Sequence, residues 1–460
     1  MNAPVVRGAC PALSAPMQTG DGLLVRLSPT DGSLTPEALA GLAEAAFRHG
    51  NSILEVTARG SLQLRGLEPA TVGPLADDVA ALGIEPREGV PVELPPLAGL
   101  DPEEKADPRP LAAAVRAELA RLGLAARLGA KVSVVVDGRG RLGLDDVPAD
   151  LRFEAVREDE AVVWRLSIGG TAADAALLAF VAEADAAAVA ALVLGAVAGL
   201  GLQGRGRHLS PPMLRSLLVR HTESNHEPDR IRYDRSRHIA ALGSDCRASI
   251  SPVGIHLLRD GRAALGVSLP FGQIEASRLA GFAAAAAAAG AAEIRPAPGR
   301  ALLALPLGTS RASELQALAP RFGLIGDAAD PRLHLAACPG SPACASGHAA
   351  ARTLAEQLST LAGAMLDGSF SVHVSGCAKG CAHPAAAGLT LVGRPDGIGL
   401  LVGGKASDMV EVRLPHGEIR HGFARLAGLY REARRPGEDA AACLARLGPG
   451  RIADAFRGQP

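Results

Sequence analysis

A chain of 460 residues with 48% apolar side chains can bury the cores of two or more domains. A formal net charge of −1 with only 3% aromatic residues removes both the basic footprint and the base-stacking platforms of a nucleic-acid-binding protein. The longest uncharged stretch, residues 186–202, is mostly Ala and Gly and barely reaches spanning length, so a packed helix is expected there and no membrane partner.

Near the start, Gly22–Pro29 reads as a strand and Thr30-Asp31-Gly32 as a turn. Thr35-Pro36-Glu37 opens a helix with a Thr cap, Pro in the first turn and Leu39, Leu42, Ala43, Ala46 and Phe47 at helical spacing. His49-Gly50-Asn51 closes it, and residues 52–67 give a strand, a turn and a second strand. Further on, Ala130–Asp137 and Ala161–Gly169 read as strands and Ala172–Leu200 as helical. Gly199, Gly201 and Gly204 fit G-x-G-x-x-G, but they follow an Ala-rich helix, whereas a dinucleotide loop follows a strand.

The first order then reappears. Ala264–Ile274, a helix over Ala276–Ala289 and Ala292–Leu307 repeat it, with residues 55–59 set against 295–299. Such a repeat requires either that each copy pairs with its own intervening domain or that the two copies pair together. Residues 388–404 read as a strand pair, followed by helices over His421–Arg435 and Asp439–Leu447. The expected class is α/β (α+β) in two halves, each a small half domain followed by a larger α/β domain, with units over 1–75, 80–222, 235–310 and 325–460.

Cys338-x5-Cys344 and Cys377-x3-Cys381 carry the chemistry. Two close cysteine pairs bedded in Gly, Pro and Ala suit a [4Fe–4S] cluster, which takes one thiolate per iron and needs small neighbours. Structural zinc usually takes C-x2–4-C knuckles, and disulfides need an oxidising compartment. The start of the chain shows no basic n-region leading into an apolar h-region, so it is read as cytoplasmic. Cys10, Cys246 and Cys443 stand apart from the four. The cluster is the preferred reading.

Together, the cysteine spacing, the Ser375-Gly376-Cys377 context, the duplicated half domains, Gly403-Gly404 and the Thr57–Gly66 run resemble the sulfite and nitrite reductase superfamily. The resemblance covers nearly the whole chain and implies ferredoxin-like half domains and a [4Fe–4S] cluster beside the tetrapyrrole sirohaem, whose iron Cys381 would bridge. It also implies that Arg59, Gln63 and Arg65, read as one strand face, hold tetrapyrrole carboxylates. The reductases also cage a small anion with cations. Ungapped matching leaves Leu24, Val90 and Ser133 at three of four such positions; Lys131 remains and is a further carboxylate candidate, and Arg26 is kept beside the first.

The runs Arg7–Leu27 and Glu55–Gly66 are similar to a shortened branch of the superfamily that acts in aerobic cobalamin biosynthesis. That similarity implies an oxygen-dependent monooxygenase taking precorrin-3A to precorrin-3B with lactone formation, the substrate lying where the reductases hold sirohaem. It implies O2 and an external electron donor (NADH through a reductase or ferredoxin) as partners, and a non-haem iron besides the cluster. His221 and His226 with Glu223 and Glu227 have helix-compatible spacing but lie in a polar linker-like run, and no facial triad is evident. His373, four residues before Cys377, either faces the tetrapyrrole or is a core histidine with a satisfied hydrogen bond, and the second reading is preferred. A sirohaem-dependent nitrite or sulfite reductase is the alternative, and a non-enzymatic iron–sulfur carrier the second.

Overall fold

The computed structural model describes residues 11–158, 161–224, 231–232 and 250–459. Its first unit comprises β1 (Met17–Thr19), β2 (Gly22–Leu27), α1 (Pro36–His49), β3 (Ile53–Val56), β4 (Leu62–Leu67) and α2 (Val72–Ala81). The Thr35 side chain caps α1 by accepting from the Ala38 N–H. Leu39, Leu42, Ala43 and Ala46 are buried, but Phe47 is 68% exposed. Eight residues on from Leu39, at 3.6 per turn, Phe47 lies about 80° round the helix and off the buried stripe.

A larger unit follows with β5 (Val92–Glu93), α3 (Arg109–Arg121), β6 (Val134–Asp137), β7 (Ala149–Glu158), β8 (Ala161–Gly170), β9 (Ala176–Ala182), α4 (Glu183–Ala198), α5 (Pro211–Ser224) and β10 (Ile231–Arg232). The expected helix over 172–200 is therefore wrong in its first part. Residues 176–182 pair antiparallel with β8, because Leu178, Ala179, Phe180 and Val181 are all buried in the sheet, and the helix starts only at Glu183.

The second copy of the small unit has β11 (Gly254–Leu257), β12 (Ala263–Ser268), β13 (Gln273–Glu275), α6 (Ala276–Ala288), β14 (Glu293–Ala297), β15 (Ala301–Leu307) and α7 (Thr309–Leu318). The last unit has β16 (Leu335–Ala337), α8 (Ala351–Ala362), β17 (Val372–Ser375), β18 (Ala387–Arg394), β19 (Gly397–Gly404), β20 (Val412–Leu414), α9 (Ile419–Ala433) and α10 (Ala440–Arg457). Helix α10 outruns its expected end at Leu447 through a non-helical Gly448.

The two small units pair together. Strand β13 leaves its own copy and pairs with β3, with Ile274 opposite Leu54, while Leu34 in the matching segment of the first copy bridges Ile294 of β14. One continuous core results, in which Leu39 and Leu42 of α1 share the interior with Leu279 and Phe282 of α6. The hairpin tips between β3 and β4 and between β14 and β15 consequently abut: Arg59 bridges Pro298, and the Gly299 N–H donates to the Ala58 carbonyl. Gly60, at φ +80°, is needed there, since a Cβ would lie 2.8 Å from the Ala297 carbonyl carbon.

The larger units also match. In each, three parallel strands (β5-β6-β7 and β16-β17-β18) continue into antiparallel ones, β8-β9-β10 in the first and β19-β20 in the second. Loops after β16 and β17 carry the four cysteines, whereas the corresponding loops after β5 and β6 are closed by buried carboxylates. Asp101 accepts the Arg141 N–H, Asp137 accepts those of Arg139 and Leu144, and Glu104 accepts that of Gly99. Burial pushes the Glu104 carboxyl up to about 8, with Asp101 and Asp107 adding to the rise against the lowering effect of its bond from Gly99. A carboxyl whose folded pKa exceeds its unfolded value near 4.3 is bound to its proton more tightly in the native state, so stability falls as pH rises from that value to about 8. Replacing Glu104→Gln should remove a fall on the order of 2–3 kcal/mol between pH 4.5 and 7, read from urea midpoints across that range.

Candidate cluster and tetrapyrrole site

The two cysteine loops are tied to each other by hydrogen bonds. Gly376 N–H donates to Cys338 Sγ at 3.1 Å, His348 N–H to the Gly376 carbonyl at 2.7 Å, and Lys379 Nζ to Ser346 Oγ at 2.8 Å. A Cβ on Gly376 would lie 2.8 Å from the Gly340 Cα and 3.5 Å from the Gly347 Cα, so the loops approach at a distance open only to glycine. All four cysteines line one cavity of about 1700 Å³. Among the described residues no group of three or more His, Cys, Asp or Glu side chains converges on a point for a single ion. Four cysteines on one cavity fit a cluster, in which each thiolate takes a different iron, and the Gly376 N–H aimed at sulfur is the kind of bond that tunes one.

Among the described residues no group of two histidines and a carboxylate is found. His226, Glu227, Cys10 and Cys246 lie outside the described residues, and the side chains of His221 and Glu223 are not described.

The cavity's other walls come from both small units. Arg59 stands in the tip between β3 and β4 and not on a strand face; its Nη2 donates to the Pro148 carbonyl at 2.6 Å and Nη1 reaches Ser133 Oγ at 3.4 Å. Burial draws its pKa down, yet an arginine remains a cation. Gln63 and Arg65 are on β4. Gln63 accepts from Arg26 and donates to Glu55, at 2.9 and 2.8 Å. Arg65, 5% exposed, engages Asp21 through Nε and Nη2 at 3.0 and 2.7 Å, and Glu55 at 3.5 Å through Nη1. Its Nη2 also donates to the Ala343 carbonyl beside Cys344. All three guanidinium nitrogens therefore meet protein groups, and its evident work is to fix the first cysteine loop. Lys131 is exposed in the turn before β6 and is not among the residues lining the cavity.

Arg300, Arg352, Lys379 and Arg394 line the cavity too, so the loss of cations at Leu24, Val90 and Ser133 does not leave it neutral. No local motif marks them; the signal for Arg300 is its place at the tip of the second repeat, next to the residue laid against Arg59. It holds φ +62°, rare for a side chain with a Cβ, and its bond to the Ala382 carbonyl is long at 3.5 Å. Arg352, on α8, binds Gln273 and, at 2.6 Å, Glu55. Glu55 thus accepts from β4 and from the cysteine-bearing unit at once.

Such a fold, with paired ferredoxin-like units and four cysteines over a large cationic cavity, is that of the nitrite and sulfite reductases. Residues 15–82 match the nitrite/sulfite reductase ferredoxin-like half domain. The NirA protein of Mycobacterium tuberculosis has the same fold, with a TM-score of 0.73 over 94% of this chain and 84% of its own, at 20% identity. A precorrin-3B synthase from a Sinorhizobium species is 43% identical over 450 residues, 98% of this chain and 94% of that protein. The chain belongs to the precorrin-3B synthase family.

The carboxyl of Asp21 is held below the ordinary carboxylate range: burial raises it, but hydrogen bonds from Arg65 and Thr19 and the Arg65 charge lower it further. Its contribution to stability is therefore complete above about pH 3.9 and is lost as pH falls through its lower folded value. Arg65→Ala should cost about 3–5 kcal/mol at pH 7 by leaving Asp21 and Glu55 short of a partner. The difference from wild type in urea midpoint should narrow below about pH 3.9.

Proposed function

We propose that this protein is an oxygen-dependent monooxygenase that converts precorrin-3A to precorrin-3B, with lactone formation, and holds a [4Fe–4S] cluster on Cys338, Cys344, Cys377 and Cys381. The carrying observation is the near-full-length identity of 43% to a precorrin-3B synthase. When bound, the cluster supplies single electrons to the site. Those electrons come from outside, from NADH through a separate reductase or from a ferredoxin, and O2 is the co-substrate. No step is assigned to a mononuclear iron.

The chain's own part is binding and orientation. At about 1700 Å³ the cavity exceeds the ~300–1,000 Å³ of ordinary ligand clefts, as a macrocycle with peripheral carboxylates requires. Arg59 and Arg300, one from each repeat tip, face that space with Arg26 and Arg394, and guanidinium forks suit carboxylates in bidentate pairs. Gln63, held between Arg26 and Glu55, sets the direction of Arg26. Arg65 fixes the cysteine loop, and Lys131 has no part in the cavity. No described helix is long and apolar enough to cross a membrane, and a cytoplasmic location is part of this proposal.

Anaerobically purified protein should contain about four irons and four sulfides per chain and no extractable sirohaem. It should consume precorrin-3A only when O2 is admitted. Stoichiometric sirohaem with reduction of nitrite or sulfite would instead establish the reductase alternative. Arg59→Ala should weaken tetrapyrrole binding roughly ten- to a hundredfold, the worth of a charge-assisted hydrogen bond, with iron content unchanged. A variant that binds normally would remove Arg59 from the site.

A further inference from the structure

His373 lies on β17 and is fully buried, and neither ring nitrogen has a hydrogen-bond partner. The expected core hydrogen bond is therefore missing. Burial, with His383 and Arg300 nearby, holds its pKa down to about 4, and the His383 ring centroid lies 5.8 Å away. A neutral imidazole always carries one N–H donor and one acceptor nitrogen, and leaving both unmet in a dry interior is costly. Buried polar groups in folded proteins are nearly always paired, so an orphan of this kind marks a place where another group belongs.

Its surroundings say which group. A Cβ on Gly380, inside the Cys377-x3-Cys381 loop, would lie 3.7 Å from His373 Cε1. Because Cε1 sits between the two ring nitrogens, the polar edge of the imidazole is turned towards that loop. Ser375 and Gly376 continue β17 directly into Cys377, and Gly376 already aims its N–H at the Cys338 sulfur. One residue of this strand-and-turn, Gly376, thus already donates to a cysteine sulfur, and another, His373, turns an unpaired polar edge towards the loop that carries the second cysteine pair.

We propose that His373 is a positioning residue that donates a hydrogen bond to a sulfur of the cluster held by Cys377 and Cys381 and so raises its reduction potential. The inference rests on the cluster reading above. Hydrogen bonds to cluster sulfurs are one of the levers that set potential, since they favour the more negatively charged reduced state.

The test compares the full-length, cluster-loaded wild type with His373→Leu, His373→Gln and His373→Asn, by iron and sulfide content and by potentiometric titration followed with electron paramagnetic resonance. His373→Leu should keep its irons, titrate at a more negative potential and show an altered reduced-cluster spectrum. The amide variant whose NH2 falls on the donating nitrogen's position, Gln for Nε2 or Asn for Nδ1, should recover part of the shift. In the cluster-free protein, His373→Leu should melt no lower than wild type, because it removes an unpaired polar group. An unchanged potential in all three variants would overturn the assignment. So would five irons in wild type falling to four in His373→Leu, which would make the imidazole an iron ligand. Wild type without iron and sulfide would overturn the cluster reading itself, and this inference with it.

Discussion

The structure depends on a reciprocal exchange between the two small units. Each lends the segment ahead of its long helix to the sheet of the other, so Ile274 lies opposite Leu54 and Leu34 opposite Ile294. Neither unit closes its sheet edge alone, and the shared core of α1 and α6 forms only when both are present. The exchange also brings the two hairpin tips into contact. One cavity wall is therefore built from residues some 240 positions apart, Arg59 on one tip and Arg300 on the other.

A second constraint ties that wall to the cysteine loops. Glu55, 4% exposed, is ion-paired with Arg65 and accepts from Gln63 of its own unit and from Arg352 of the cysteine-bearing unit. A buried carboxylate is tolerable only with such partners, and here they come from β4 of its own unit and from the cysteine-bearing unit. Arg65 extends the chain of contacts to Asp21 and to the carbonyl next to Cys344. Displacing the first cysteine loop would therefore unpair charges beneath the cavity floor. The network works as a clamp, and it leaves Arg59, Arg26 and Arg300 to face the open space.

The duplication has diverged at the loops. The same three parallel strands, each set extended by antiparallel ones, end in cysteines in one half and in Asp101, Glu104 and Asp137 in the other, whose carboxylates accept from backbone N–H groups and close the loops on themselves. Only one half can then offer four sulfurs to a common space. The difference is chemical and local, which is why it was visible as a cysteine pattern without any knowledge of the sheets.

Local chemistry was legible in the sequence because its physical cause is local. The Thr35 cap, the repeat of strand, helix and hairpin, and the glycine-bedded cysteine pairs each rest on neighbouring residues. Strand β9 was not legible, since its apolar run reads equally as helix until β8 is there to pair with it. The fate of Arg65 was hidden as well: on β4 it shares a face with Gln63, and only the tertiary fold places Asp21, Glu55 and Ala343 around it. Arg300 and Arg352 carry no motif, and their place in the cavity follows from the exchange of strands and the docking of α8. By itself, then, the sequence determined the repeat, the four-cysteine pattern and the family to which they point. Which arginines face the cavity, which are consumed in ion pairs, and that His373 is buried without a partner were decided by the packing of distant segments, because charge pairing and desolvation depend on neighbours in space.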